Sequence, residues 1–193
     1  INPYLTSSNS VYITRRSTPL SISLNKIVYG NLLNDDGYLT LSEGEKNDIL
    51  AKYPNAQKFI KLYIGSKEFL RGEIRWCLFI KKDQFDEAKS IPLINSSEKS
   101  TRRIAGVPYR YYFQSYNETE SIIIPRTSSQ RRDYIPIGYL NKDIIISDAA
   151  QAIYDAEPWI LSVVSSRMHM TWVKAVAGRL KSDYRYSSAL CYN

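Results

Sequence analysis

A chain of 193 residues with ordinary hydrophobic and charged content can bury a core within one domain and is too apolar to be disordered throughout. Its net charge of +7, from 26 Lys and Arg against 19 Asp and Glu, draws polyanions such as nucleic acid or an anionic surface. A single histidine, His169, and two distant cysteines, Cys77 and Cys191, argue against structural zinc or any other metal cluster, a disulfide framework and His-based nucleophilic catalysis.

Residues 1–30 are polar and broken by Pro3 and Pro19, with a basic pair at Arg15 and Arg16, and read as extended chain with one short strand at Val11–Thr14. NDDGYL (34–39) is a turn, since Asn and Asp bond their own backbone and Gly tolerates positive φ. Ser42 followed three residues on by Glu45 has the capping-box pattern, and Pro54 closes the segment, which predicts a helix over 43–52. A second helix is expected in NAQKFIKLYI (55–64), where Phe59, Ile60 and Tyr63 fall at helical spacing, with one more turn in SKEFLRG before Gly72.

EIRWCLFI (73–80) is rich in aromatic and β-branched residues and reads as a buried strand. DQFDEAK is a short helix and NSSEKSTRR a loop, and further strands are expected at 109–114, 120–125, 132–137 and 142–146. Leu161, Val164, Met168, Trp172 and Ala175 recur at spacings of three and four and predict one long helix over 161–176, capped by Gly178, before a final strand in YSSALCY. Strands bracketed by helices give an α+β fold with a mostly antiparallel sheet.

No GxGxxG or GxxxxGK pattern is present, so nothing in the chain marks a dinucleotide or nucleoside-triphosphate site. The carboxylate pairs Asp35 and Asp36, Glu43 and Glu45, and Asp83 with Asp86 and Glu87 sit in polar turns or helix starts, where solvation or the helix dipole accounts for them. No apolar run approaches 20 residues and no signal peptide is visible, which predicts a soluble cytoplasmic protein with no membrane contact. A chain that starts at Ile1 reads as a fragment of something larger.

Two basic stretches carry the chemistry. IPRTSSQRRDYIPIGYL (124–140) sets Arg126, Arg131 and Arg132 with Thr127, Ser128 and Ser129 in a loop between apolar strands, a composition suited to phosphate oxygens. STRR, with Arg102 and Arg103, is a weaker copy. GRLKSDYRYS (178–187) places Arg179, Lys181, Ser182 and Arg185 around the lone acid Asp183, with Arg167 upstream. On an extended segment Lys181, Asp183 and Arg185 point to one side. A Lys donor matches guanine O6 and N7 and an Asp acceptor matches the cytosine amino group, so the pair can read one G·C pair in the major groove. The alternative is an intramolecular Lys–Asp–Arg salt-bridge ladder on a basic interaction or scaffold domain that reads no bases.

IVYGNLLNDDGYLTLSEGEK, KFIKLYIGSKEFLRGEIRWCLFI, IIIPRTSSQRRDYIPIGYL and SSRMHMTWVKAVAGRLKSDYRYS, in that order, resemble the target recognition domain of type IIL (MmeI-like) DNA methyltransferases and restriction-modification enzymes. The resemblance runs from about residue 24 to 193, leaving 1–23 as a lead-in from an upstream catalytic domain. It implies that the whole protein carries an S-adenosylmethionine-dependent adenine-N6 methyltransferase domain upstream, in many relatives behind an endonuclease domain. This segment, which lacks the Asn-Pro-Pro-aromatic motif, would be a non-catalytic reader of double-stranded DNA. It also implies base reading at Lys181 and Asp183, with Arg185 beside them, and contacts at or near the DNA backbone from Arg126, Ser128, Ser129, Arg131, Arg132, Arg167, Arg179 and Ser182.

Overall fold

The computed structural model describes residues 12–33, 39–89 and 113–193, together with Ser7 and Ile91. The chain divides into two compact units that alternate along the sequence: residues 1–28, 119–141 and 150–193 form the first, residues 29–118 and 142–149 the second. Most of the turn expected at 34–39, the loop at 95–103 with Arg102 and Arg103, and most of the strand expected at 109–114 lie outside the described residues, as does Val11, and residues 12–14 are irregular chain instead of the expected short strand. The α+β class and the largely antiparallel pairing stand as expected.

In the second unit, α1 (Glu43–Lys52) begins at the expected capping box. Ser42 Oγ accepts from the Glu45 N–H at 3.3 Å and Glu45 Oε2 accepts from the Ser42 N–H at 2.8 Å, so two orphan donors of the first turn are satisfied reciprocally. The helix expected over 55–64 does not form. Pro54–Phe59 is a short 3₁₀ turn and Ile60–Ile64 is strand β3, central in a four-stranded sheet of order β2–β4–β3–β8. Its neighbours are β4 (Trp76–Leu78), antiparallel, and β8 (Ile144–Ile146), parallel, with β2 (Thr40–Leu41) at one edge. A central strand is buried on both faces, so its apolar residues form a near-continuous run whose spacing mimics a helix, and ladder pairing overrides local propensity. Helices α2 (Ser66–Arg71) and α3 (Phe85–Lys89) follow the expected turns, and Gly72 ends α2 at φ +68. Gly30 has a different role: a Cβ there would lie 2.1 Å from the Ser147 carbonyl oxygen, so only glycine lets these two backbones meet.

In the first unit, β5 (Ser121–Pro125) lies between β9 (Ala150–Tyr154) and β7 (Gly138–Leu140), with β1 (Ile27–Tyr29) beyond β9. All five residues of β5 are buried, which accounts for the Ile122–Ile124 run. The strand expected over 132–137 is irregular chain, in which Ile135 is buried but Pro136 has no N–H to offer a ladder. The polar lead-in is tied to this unit. Ile13 and Leu24 pack against its core, and the Arg16 N–H donates to the Ala189 carbonyl at 3.0 Å.

The single long helix expected over 161–176 is two helices, α4 (Pro158–Val164) and α5 (Arg167–Val176). Ser165 and Ser166 break it: Ser165 Oγ donates back to the Leu161 carbonyl at 2.6 Å, while Ser166 takes an extended conformation and caps α5 by accepting from the His169 N–H at 3.1 Å. Both helices serve one core, through Ile160 and Val164 on α4 and Met170, Val173 and Val176 on α5. Met168 and Trp172, which carried the expected stripe, are 78% and 41% exposed. Ala177 rather than Gly178 caps α5, and Gly178 opens a strand instead. The expected final strand is a π-helical turn, Ser188–Tyr192, held to α5 by the Trp172 indole N–H donating to the Leu190 carbonyl at 3.0 Å.

Candidate nucleic-acid interface

The two basic stretches, about fifty residues apart in sequence, meet on one small sheet of the first unit. Strand β10 (Gly178–Leu180) turns back through a two-residue loop, Lys181–Ser182, into β11 (Asp183–Arg185), and β11 pairs on its other side with β6 (Thr127–Ser128). The strand order is β10–β11–β6, all antiparallel, with Arg179 opposite Tyr184, Leu180 opposite Asp183, Tyr184 opposite Ser128 and Arg185 opposite Thr127. One further bond, from the Tyr186 N–H to the Arg126 carbonyl at 2.9 Å, extends the join to Arg126.

That topology corrects the expectation of one extended segment. Asp183 and Arg185 do share a face of β11, while Tyr184 points the other way and is buried. Lys181 is not on that strand: it occupies the hairpin loop with φ +56, a left-handed conformation that costs a side-chain-bearing residue about 1 kcal/mol or more. Lys181, Ser182 and Arg185 are exposed, as are Arg131, Arg132, Arg167 and Arg179.

Asp183 joins the two stretches. Its Oδ1 accepts from the backbone N–H of Gln130 at 3.3 Å, in the turn where the Arg131 N–H donates to Ser129 Oγ (3.3 Å) and the Arg132 N–H to the Ser129 carbonyl (3.1 Å). The salt-bridge ladder Lys181–Asp183–Arg185 is therefore not formed. Among the described residues Arg131, Arg132, Arg167, Arg179, Lys181 and Arg185 take part in no ion pair, whereas the second unit pairs its cations locally, as in Lys61–Asp143 (2.8 Å) and Lys81–Glu118 (2.6 Å). Charge is divided in the same way: 11 Lys and Arg face 5 Asp and Glu in the first unit, against 15 and 14 in the second. Almost all of the chain's excess positive charge thus belongs to the unit that carries the hairpin.

Of the residues expected at the DNA backbone, Ser128 is 3% exposed and its hydroxyl is turned into the fold, out of reach of a phosphate. Arg126 and Ser129 are half-buried at the two ends of β6. Arg167 is the first residue of α5 and so adds its charge where the positive end of the helix dipole already lies. Sequence reasoning missed the roles of Tyr184 and the Gln130 N–H, because they arise only from cross-strand register. The loop Lys181–Ser182 has none of the Asn-Gly or Gly signals by which a tight hairpin is normally found.

His169 lies behind the hairpin, its Nε2 2.9 Å from the hydroxyl of the buried Tyr186. Burial lowers the His169 pKa below its ordinary value of 6.5 and pushes that of Tyr186 well up. The folded state therefore binds fewer protons at His169 than the unfolded state does. The stability it contributes is full above pH 6.5 and is lost as pH falls through the lowered folded value. We expect the thermal midpoint to fall between pH 7 and 5.5 and that fall to be smaller in H169Q, measured by circular dichroism.

Fold and site together define a two-unit α+β domain whose first unit carries exposed cations on a three-stranded sheet and the turns that join it. The chain belongs to the MmeI target recognition domain family, whose model matches residues 7–193. It is 42% identical over 205 residues to DNA methyltransferase A of Bacillus subtilis (strain 168), a match that covers all of this chain and 23% of that protein. Among solved structures it is similar to the type IIL restriction-modification enzyme MmeI in complex with DNA, at 35% identity and a TM-score of 0.91, over all of this chain and 27% of that one. The chain spans about a quarter of the length of these two relatives.

Proposed function

We propose that this chain holds duplex DNA and reads base pairs in the major groove, as the target recognition part of a restriction-modification methyltransferase acting on adenine N6. The observation that carries the reading is Asp183, a carboxylate set among cations and held by the neutral Gln130 N–H rather than by any of them. A surface built only to neutralise phosphate has no use for an acid there, whereas the cytosine amino group needs an acceptor. Lys181 donates to the guanine of that pair and Arg185, on the face of Asp183, reads a neighbouring pair. Arg126, Arg131, Arg132, Ser129 and Arg167 lie along the DNA backbone and set register. The backbone strain at Lys181 supports a functional loop, since such outliers cluster where ligands are met.

S-adenosylmethionine, the methyl donor of such enzymes, would be bound by the rest of the protein, along with the adenine extruded from the duplex. The scaffold alternative needs the cations of the hairpin to be consumed in surface ion pairs, and among the described residues they are not.

Fluorescence anisotropy of the intact protein on a labelled duplex, over a salt series, tests the reading. The logarithm of affinity is expected to fall linearly with the logarithm of salt, with a slope of roughly −0.9 per phosphate neutralised. R131A/R132A is expected to weaken binding to all sequences alike and to reduce the slope by about 2. Affinity that ignores salt, or a loss confined to one sequence, would overturn it.

A further inference from the structure

We propose that Arg179 is a positioning residue for base reading: it braces the Lys181–Ser182 loop against the buried Tyr184, so that Lys181 and Asp183 address the same base pair. This rests on the DNA-reading function proposed above.

The loop needs a brace because its composition does not favour its shape. Two-residue hairpin loops with a positive φ ordinarily use Gly or Asn, and Lys181 holds φ +56 with a full side chain. An exposed loop in that state relaxes unless something over-determines it. Arg179 makes two contacts that do so. Its guanidinium carbon lies 3.8 Å from the centroid of the Tyr184 ring, directly across the β10–β11 pair, and its Nη1 donates to the Ser182 carbonyl at 3.1 Å.

Tyr184 is a fixed platform, because the residue is 6% exposed and belongs to the core of the first unit. The guanidinium is planar, so it can stack on a ring while donating within its own plane, a combination that a lysine ammonium cannot reproduce. Core, ring, guanidinium and loop carbonyl therefore form one chain of contacts ending at the residue between Lys181 and Asp183. The Asp183–Gln130 bond secures the other side of the loop. Among the described residues the Arg131 and Arg132 side chains make no contact that would shape the loop, so Arg179 differs from them and its main effect is on selectivity rather than on grip.

The decisive comparison is R179K in the intact protein, on duplexes carrying the sequence it methylates and the set of single-pair variants of that sequence. The charge is retained, so the salt slope is expected to hold. Discrimination at the one pair read by Lys181 and Asp183 is expected to fall on the order of 10-fold, with other positions unaffected. Y184F keeps the ring and is expected to keep the discrimination. A second readout needs no DNA: amide hydrogen exchange at residues 181–183 of the free protein is expected to rise about 10-fold in R179K while the core amides stay protected. If R179K keeps full discrimination and slow exchange, or if R179A lowers the salt slope by about 1 with discrimination intact, Arg179 is a phosphate contact and the proposal is wrong. If the wild-type protein shows no base preference at all, the DNA-reading function itself fails, and the exchange measurement still decides whether Arg179 braces the loop.

Discussion

The double exchange K181E/D183R is expected to reverse the preference at one base pair from G·C to C·G while leaving the rest of the recognised sequence unchanged. In the function proposed above, Lys181 offers donors to guanine O6 and N7, and Asp183 offers an acceptor to the amino group of the cytosine paired with it. After the exchange the acceptor stands at the loop and the donor on β11, so the same two groups fit the pair turned around. Oδ1 of Asp183 is engaged by the Gln130 N–H, which leaves Oδ2 without a partner among the described residues and available to the base. Each matched contact is worth about 1–3 kcal/mol, so the reversal amounts to roughly 10- to 100-fold or more in relative affinity. K181E alone sets a carboxylate against two guanine acceptors and is expected to abolish recognition instead of changing it. Sequencing of methylated sites in cells expressing the intact protein reads the outcome directly, and an unchanged methylated sequence in the double variant would exclude these two residues as readers of that pair.

The largest expected effect on stability lies in the second unit, at Asn31. This side chain is fully buried and bonded at both ends: its Nδ2 donates to the Ile146 carbonyl (2.9 Å), and its Oδ1 accepts from the N–H groups of Ser115 (2.9 Å) and Tyr116 (3.0 Å). The Asn31 backbone adds a bond to the same Ile146 carbonyl (2.7 Å) and accepts from the Tyr63 hydroxyl (3.0 Å) and the Asp148 N–H (3.1 Å). One residue thereby gathers three separated segments of the chain. N31L would fill the volume but strip two backbone donors of their acceptor, at about 1–3 kcal/mol each. A loss of about 3–4 kcal/mol is expected, with a fall in thermal midpoint on the order of 10 °C by circular dichroism. A fall of only a degree or two would mean that water takes over both donors.

Local signals served well wherever the structure is itself local. The capping box at Ser42 and Glu45 set the start of α1, and the apolar runs at Ile122–Ile124 and Ile144–Ile146 marked buried strands. They failed where pairing partners decide. Ile60–Ile64 has a spacing that suits a helix, yet it lies between two strands contributed from 76–78 and 144–146. The stripe through Met168 and Trp172 pointed to the wrong face of α5, because Ser165 and Ser166 restart the helix and the new helix turns a different set of residues inward.

By itself the sequence determined the α+β class, the excess of positive charge, the absence of a nucleotide-binding glycine loop and, through its long ordered resemblance, the family. The constellation at the hairpin was legible as residue types. Its arrangement was not, because a Lys–Ser loop gives no turn signal and the register of β11 against β6 depends on residues 127 and 128, more than fifty positions earlier. Only the tertiary structure decided that Asp183 is held by a backbone N–H instead of a cation, that Ser128 faces inward, and that Arg179 rests on Tyr184. The physical reason is the same in each case: composition sets which charges are present, but the hydrogen-bonded pairing of distant strands sets which of them face each other and which remain free to meet a ligand.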